Sequence, residues 1–174
     1  KIDVITAKSI AQGNAQNTGD LLMNTGKVFL QKSQQGGSSP VLRGFEASRV
    51  LLVIDGVRMN NAIYRSGHLQ NVITTDQNSL SRVEVMYGPS STIYGSDALG
   101  GIVHLVTKSP VLSGNKKFLT TGTGFVRYSS ANEEKTIHAD ASMGGKKLAW
   151  LQSYNFSDFG DMKMGSKYPH KYPN

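Results

Sequence analysis

The side chains of this 174-residue sequence that could do covalent chemistry are few and badly spaced for it. Cysteine is absent, which excludes thiolate nucleophiles, thiolate metal sites and disulfide staples. The four histidines stand at 68, 104, 138 and 170, too scattered for zinc-ligand spacing. There is no Gly-x-Ser-x-Gly nucleophile elbow. Gly122-Thr123-Gly124 begins like a dinucleotide fingerprint, but Arg127 replaces the next glycine and the segment reads as strand. Gly26-Lys27 ends like a phosphate loop, yet Val28 and Leu21 stand where a hydroxyl residue and a glycine are needed. Non-covalent binding is what remains. His68 lies in the polar run Ser66-Gly67-His68-Leu69-Gln70-Asn71. A neutral imidazole there suits iron, or else bonds the backbone of its own loop. Tyr64 and Arg65 offer a ring for stacking and a guanidinium for a carboxylate, or else pack that loop. His104, in an apolar strand, and His138, on the polar side of another, read as structural.

The elements that position these residues are short. Thr6 and Thr18 each precede a helical stretch and read as its N-cap, and Gly26 suits the end of the second. Val28 to Lys32 alternates as a strand, and Gln34 to Pro40, rich in glycine and serine, reads as a mobile loop. Val50 to Ile54 is a buried strand, and Asp55-Gly56 is a hairpin turn signal. The twelve mostly polar residues from Asn60 to Asn71 make an ordered functional loop. Asp76 caps a turn before the strand Arg82 to Tyr87, where Val83, Val85 and Tyr87 alternate with Arg82, Glu84 and Met86. Pro89 starts and Gly95 ends a short helix, and Gly100-Gly101 turns the chain into a strand from Ile102 to Thr107. Gly44, Gly56, Gly88, Gly95, Gly100 and Gly101 serve turns and tight backbone rather than chemistry.

Past Pro110 the pattern changes to strands of membrane-crossing length. In Thr136 to Met143 the apolar residues are Ile137, Ala139, Ala141 and Met143, alternating with Thr136, His138, Asp140 and Ser142. Such dyad alternation suits lipid on one side and a polar lumen on the other, and a soluble meander shows it too. Phe118 to Tyr128 is the strand before, and Gly144-Gly145 turns into Leu148 to Phe156, which carries Trp150, Tyr154 and Phe156 on one face.

The 19 glycines, about 11% of the chain, point to turns and close backbone approaches. The net charge of +7 is spread as ten basic against seven acidic residues up to 110 and nine against five beyond. That lacks the clustered basic, aromatic-interleaved face that nucleic acid needs. No apolar run reaches the length of a membrane helix, and the first residues lack a signal-peptide core.

Four blocks, in order and at their spacing, carry a resemblance: Leu42-Arg43-Gly44-Phe45, Val50 to Arg58, Arg82 to Gly101, and Val103 to Lys108. Together they resemble the plug domain of TonB-dependent outer-membrane receptors. The resemblance implies an α+β plug over 1–110, a small mixed sheet with short helices. Residues 111–174 would then be the first about three strands of a 22-stranded transmembrane β-barrel, and the chain a fragment of a larger receptor. It implies no enzyme and no intrinsic cofactor, but active import of a scarce nutrient across the outer membrane of a Gram-negative bacterium. Haem or another iron complex is the favoured cargo, because haem importers of the family carry a plug histidine in a context like that of His68, where it is an iron axial ligand. Tyr64 and Arg65 would then meet the porphyrin and a propionate. Arg43, Arg82 and Glu84 would form ion pairs between plug and barrel wall that take part in gating. The implied partners are the TonB-ExbB-ExbD energy-coupling complex, the rest of the barrel, outer-membrane lipid and, in some members, a surface lipoprotein. The family's chain direction would make the 131–134 turn extracellular, Gly144-Gly145 periplasmic, and 161–174 the start of an extracellular loop. The alternative is a soluble binding or adhesion module with a plug-like fold, which would need a polar outward face on residues 136–143.

Overall fold

The computed structural model describes residues 1–33, 37–46, 49–59, 72–88, 94–95, 98–130 and 132–161. The chain divides into two compact units, Lys1–Ser109 and Pro110–Asn174.

In the first unit, β1 (Ile2–Thr6) runs directly into α1 (Ala7–Gly13). The Thr6 hydroxyl accepts the Ser9 backbone N–H at 3.3 Å and so caps the helix. The second helix, α2 (Thr18–Met23), corrects the sequence expectation by one residue: its cap is Asn17, whose Oδ1 accepts the Asp20 N–H at 2.9 Å. Thr18 is the first helical residue instead, and its hydroxyl donates to the Thr75 carbonyl at 2.5 Å. Being the first helical residue, Thr18 lacks the extended backbone of a cap, and the contact with Thr75 holds its side chain inward.

Next come β2 (Phe29–Ser33) and β3 (Gly37–Val41), paired antiparallel as a separate two-stranded sheet. The loop expected over Gln34 to Pro40 is therefore wrong from Gly37 on, while 34–36 lie outside the described residues. Ser38 and Ser39 are buried in β3, and pairing with β2 overrides their local preference for turns. Pro40 is tolerated because a two-stranded sheet leaves every strand an edge.

The main sheet contains β4 (Val50–Ile54), β5 (Val57–Arg58), β6 (Leu80–Tyr87) and β7 (Gly101–Thr107), in the order β1-β6-β7-β4-β5. Only β4 with β7 is parallel, so the sheet is mixed. A 3₁₀ turn, Gln77–Ser79, capped by Asp76 as expected, leads into β6. One face carries the core: Val50, Leu52, Val83, Val85, Val103 and Leu105 pack with Ile10, Leu21 and Leu22 from the helices. Leu51, Val53 and Ile102 form a smaller cluster with Ala98 on the opposite face. Burial on both sides is why β4 is an unbroken apolar run. Each fully buried leucine contributes about 1.5–3 kcal/mol.

The second unit is an antiparallel meander of β8 (Leu119–Ser129), β9 (Glu134–Gly144) and β10 (Ala149–Asp158), order β10-β9-β8. At 10 or 11 residues each, the strands have the length of tilted membrane-crossing strands. Among the described residues no helix is long and apolar enough to cross a membrane, which does not bear on crossing by strands.

Candidate functional site

Several polar and charged groups of the first unit meet where β4 turns into β5. Asp55 and Gly56 both take positive φ, +48° and +83°, the pairing a two-residue hairpin of this hand requires. The Asp55 carboxylate does more than shape the turn: it accepts the Thr107 backbone N–H at 2.9 Å and the Thr107 hydroxyl at 2.7 Å. These bonds tie the β4–β5 turn to the end of β7. They hold the Asp55 carboxyl below its ordinary value, Thr107's hydroxyl contributing most.

Alongside, Glu84 on β6 and His104 on β7 are direct cross-strand partners. Glu84 pairs with Arg82 at 2.6 Å through one oxygen and meets His104 Nδ1 at 3.2 Å through the other. Arg82 is the main reason the Glu84 carboxyl sits below its usual range, against a smaller opposing effect of burial. The far nitrogen of His104, Nε2, accepts the Gly56 backbone N–H at 3.3 Å. An array of polar groups thus runs Arg82, Glu84, His104, Gly56 across two strands and the β4–β5 turn.

Arg43 stands apart from these. Leu42 and Phe45 exchange two backbone bonds of 2.9 Å around a turn in which Arg43 (φ +51°) and Gly44 (φ +83°) are both left-handed. The Arg43 guanidinium lies 5.4 Å over the Tyr87 ring. Burial raises the Tyr87 hydroxyl's pKa, as does the nearby Asp3, which is itself held low chiefly by Lys27. Arg82 and Glu84 are thus paired to each other, and Arg43 to a ring of its own unit. Gly88, Gly95 and Gly101 take positive φ; Gly100 does not, and is crowded instead by Phe45 and the Arg49 carbonyl. His68, Tyr64, Arg65 and Pro89 lie outside the described residues. Asp55 read in sequence only as a turn, and nothing local signalled Thr107, 52 residues away.

The Asp55 contacts carry a pH prediction. Its carboxyl is depressed in the folded state, so the stabilisation is present above the ordinary carboxylate pKa and lost as pH falls through the depressed one. Asp55→Asn keeps a residue that tolerates the turn but removes the charge. It is expected to cost about 1 kcal/mol at neutral pH, screening at this exposed site holding the figure down. The gap from the native plug should close as pH falls below the ordinary carboxylate range, read as urea midpoints across a pH series. A gap that stays constant down the series would refute the charged clamp.

The second unit's sheet separates its faces sharply. Register places Ile137, Ala139, Ala141 and Met143 of β9 level with Phe156, Tyr154, Gln152 and Trp150 of β10, and with Val126 and Thr120 of β8. This face is open: Ile137 is 49% exposed, Trp150 60% and Val126 77%. The opposite face is mainly polar and is covered along the middle of β9, with Thr136 1% and His138 2% exposed, while Thr121 and Thr123 of β8 and Asn155 of β10 are exposed at its flanks. There Glu134 accepts from Arg127 and from the Thr136 hydroxyl at 2.7 Å, Thr136 meets Ser157 at 3.0 Å, and His138 stacks on Phe125 and contacts Asp140 at 3.2 Å. A soluble sheet puts its apolar face inward, and this one does the reverse.

The family model of the TonB-dependent receptor plug domain matches residues 1–102, more than half of the chain. The chain belongs to this family. Two curated relatives named as vitamin B12 transporters, from Vibrio vulnificus strains CMCP6 and YJ016, are 32% and 34% identical over 98% and 90% of the chain. The chain spans only 28% and 24% of their lengths. Among solved structures, the copper transporter OprC is similar over 93% of this chain and 25% of its own, at 16% identity and a TM-score of 0.78. The FrpB iron transporter of Neisseria meningitidis covers 97% of this chain and 25% of its own, at 20% identity and a TM-score of 0.72. The fold is thus an α+β plug followed by the early strands of a receptor barrel. The named relatives are transporters, not enzymes.

Proposed function

We propose that the complete protein is an outer-membrane importer in which the plug closes a barrel begun by β8 to β10. Apical plug loops bind the cargo, and the TonB-ExbB-ExbD complex supplies energy from the periplasm. The observation that carries this is the polarity of β9, whose apolar side chains are exposed and whose polar ones are covered, in a chain that begins with a plug of this family. The alternative, a soluble module, calls for the opposite arrangement. On the same reading Arg43, Arg82 and Glu84 exchange present partners for barrel-wall groups during gating, and a surface lipoprotein is a further partner at the extracellular side.

The cargo we favour is haem, bound through His68 with Tyr64 and Arg65 beside it, on the strength of the Gly67-His68-Leu69 context. Cobalamin is the second reading, supported by the two Vibrio relatives. The test is titration of the complete receptor with haemin, followed at the Soret band, beside His68→Ala and beside cyanocobalamin followed by its quenching of tryptophan fluorescence. A saturable Soret shift whose affinity weakens at least about tenfold in His68→Ala is expected, since removing a ligand costs no less than the roughly tenfold or more lost with a group that only supports one. A shift that survives the mutation moves the ligands elsewhere. No shift with haemin, together with saturable quenching by cyanocobalamin, overturns haem in favour of cobalamin.

A further inference from the structure

We infer that His104 is a pH-sensitive latch on the β4–β5 hairpin, closed when its ring is neutral and open when the ring is protonated. A backbone N–H can only donate, so the Gly56 N–H at 3.3 Å from His104 Nε2 requires that nitrogen to be bare. The ring's single proton then sits on Nδ1 and is donated to Glu84 Oε2 at 3.2 Å. The arrangement fixes one tautomer of neutral imidazole.

Adding a proton turns Nε2 into a donor facing another donor. The Gly56 bond is lost, while attraction between the imidazolium and Glu84 grows. Protonation therefore strengthens the ring's tie to Glu84 on β6 at the expense of the Gly56 bond, and a weaker attraction to the Asp55 carboxylate does not restore that bond, because Nε2 can no longer accept. Imidazole is the side chain whose charge ordinarily changes between pH 5 and 8, and His104 is open enough to solvent to exchange protons, at 17% side-chain exposure.

The other charged groups around it stay constant across that window. On β6, Glu84 is held ionised by Arg82. On the turn, the Asp55 carboxyl is held low by Thr107, so the Asp55 clamp stays closed where the His104 latch opens. Arg58 on β5 shares this sheet face by register with Val53 and keeps its charge at all relevant pH. Tyr94 packs against the apolar end of the same face. The neighbours on β1, Val4 and Thr6, are uncharged. The hairpin then has two ties of different chemistry, one constant and one acid-labile. β5 leads directly into residues 60–71, so on the transport reading the latch sits at the root of the proposed cargo loop.

The test is hydrogen–deuterium exchange of the complete receptor in detergent, without cargo, at pH 8 and pH 5, corrected for intrinsic exchange. The peptide containing Gly56 is followed, with that containing Val83 and Val85 as an internal reference. Protection at Gly56 should fall about threefold to tenfold at pH 5, the span of one neutral hydrogen bond, while the reference holds. In Glu84→Gln the change should move to lower pH, because no anion remains to favour the charged ring. In His104→Leu protection should be low at both values. Equal protection of Gly56 at pH 8 and 5 in the native receptor, or the full pH change persisting in His104→Leu, overturns the latch. Neither result touches the transport reading, since no cargo is present.

Discussion

Gly101→Ala is expected to destabilise the plug by about 2–5 kcal/mol, against about 1 kcal/mol for Gly88→Ala. Both glycines have positive φ, +146° and +104°, so both substitutions meet backbone strain. They differ in what surrounds a new methyl group. At Gly101 it would overlap the Met86 carbonyl oxygen and come within 2.9 Å of Leu42 Cδ1, whereas at Gly88 nothing lies within 4 Å. Met86 is backbone of β6, and Gly101 is paired to Tyr87 on one side and Val50 on the other. Neither neighbour can retreat without breaking the sheet, and Leu42 is fully buried. The difference between the two variants therefore isolates close approach from strain. It is measured as the urea concentration at which plug peptides of the complete receptor become protease-sensitive. Equal shifts for the two would show that strain alone accounts for Gly101.

The pair Gly100-Gly101 announces a sharp return, but not that one glycine supplies the dihedral angle and the other clears space for Phe45. The strands were legible where burial is strict: the apolar run Val50 to Ile54, and the alternation of Arg82 to Tyr87, each dictate one periodicity. Helix α2 was legible in place and not in its cap. Asn17 and Thr18 are both good capping residues, and the choice is made by the Thr75 carbonyl, which sequence does not bring near. β3 was missed because Gly37, Ser38 and Ser39 favour turns locally, and only pairing with β2 and burial make them a strand. The candidate site followed the same rule. Asp55-Gly56 was recognisable as a turn, but the ties to Thr107 and His104 join residues about fifty positions apart. Arg43 looked free to meet a barrel wall, whereas a left-handed turn swings it over Tyr87.

The second unit carries the other large effect. Ala139→Arg is expected to destabilise the folded, membrane-inserted receptor by about 2–4 kcal/mol, while Ser153→Arg costs less than about 1 kcal/mol. Ala139 stands at the middle of β9, level with Gly124 and Tyr154 on the outward face. If that face meets hydrocarbon, a guanidinium there must be desolvated or must drag water and headgroups inward. The native Lys135 lies on the same outward face at the strand's end, where a long side chain reaches the interface at small cost. Ser153, opposite Asp140, faces the other way, and an arginine on a polar lumen face keeps both water and a carboxylate within reach. In water the ranking inverts. An exposed alanine replaced by arginine would be worth less than about 0.5 kcal/mol, and Ser153, half-covered on the polar side, would be the more sensitive position. Urea midpoints of the complete receptor in phospholipid vesicles, read by the heat-dependent gel shift of folded barrels, separate the two cases. A cost confined to Ala139 establishes that β9 crosses the bilayer with residues 137, 139, 141 and 143 against lipid. A cost confined to Ser153 would return the strands to a soluble sheet and remove the observation on which the transport proposal rests.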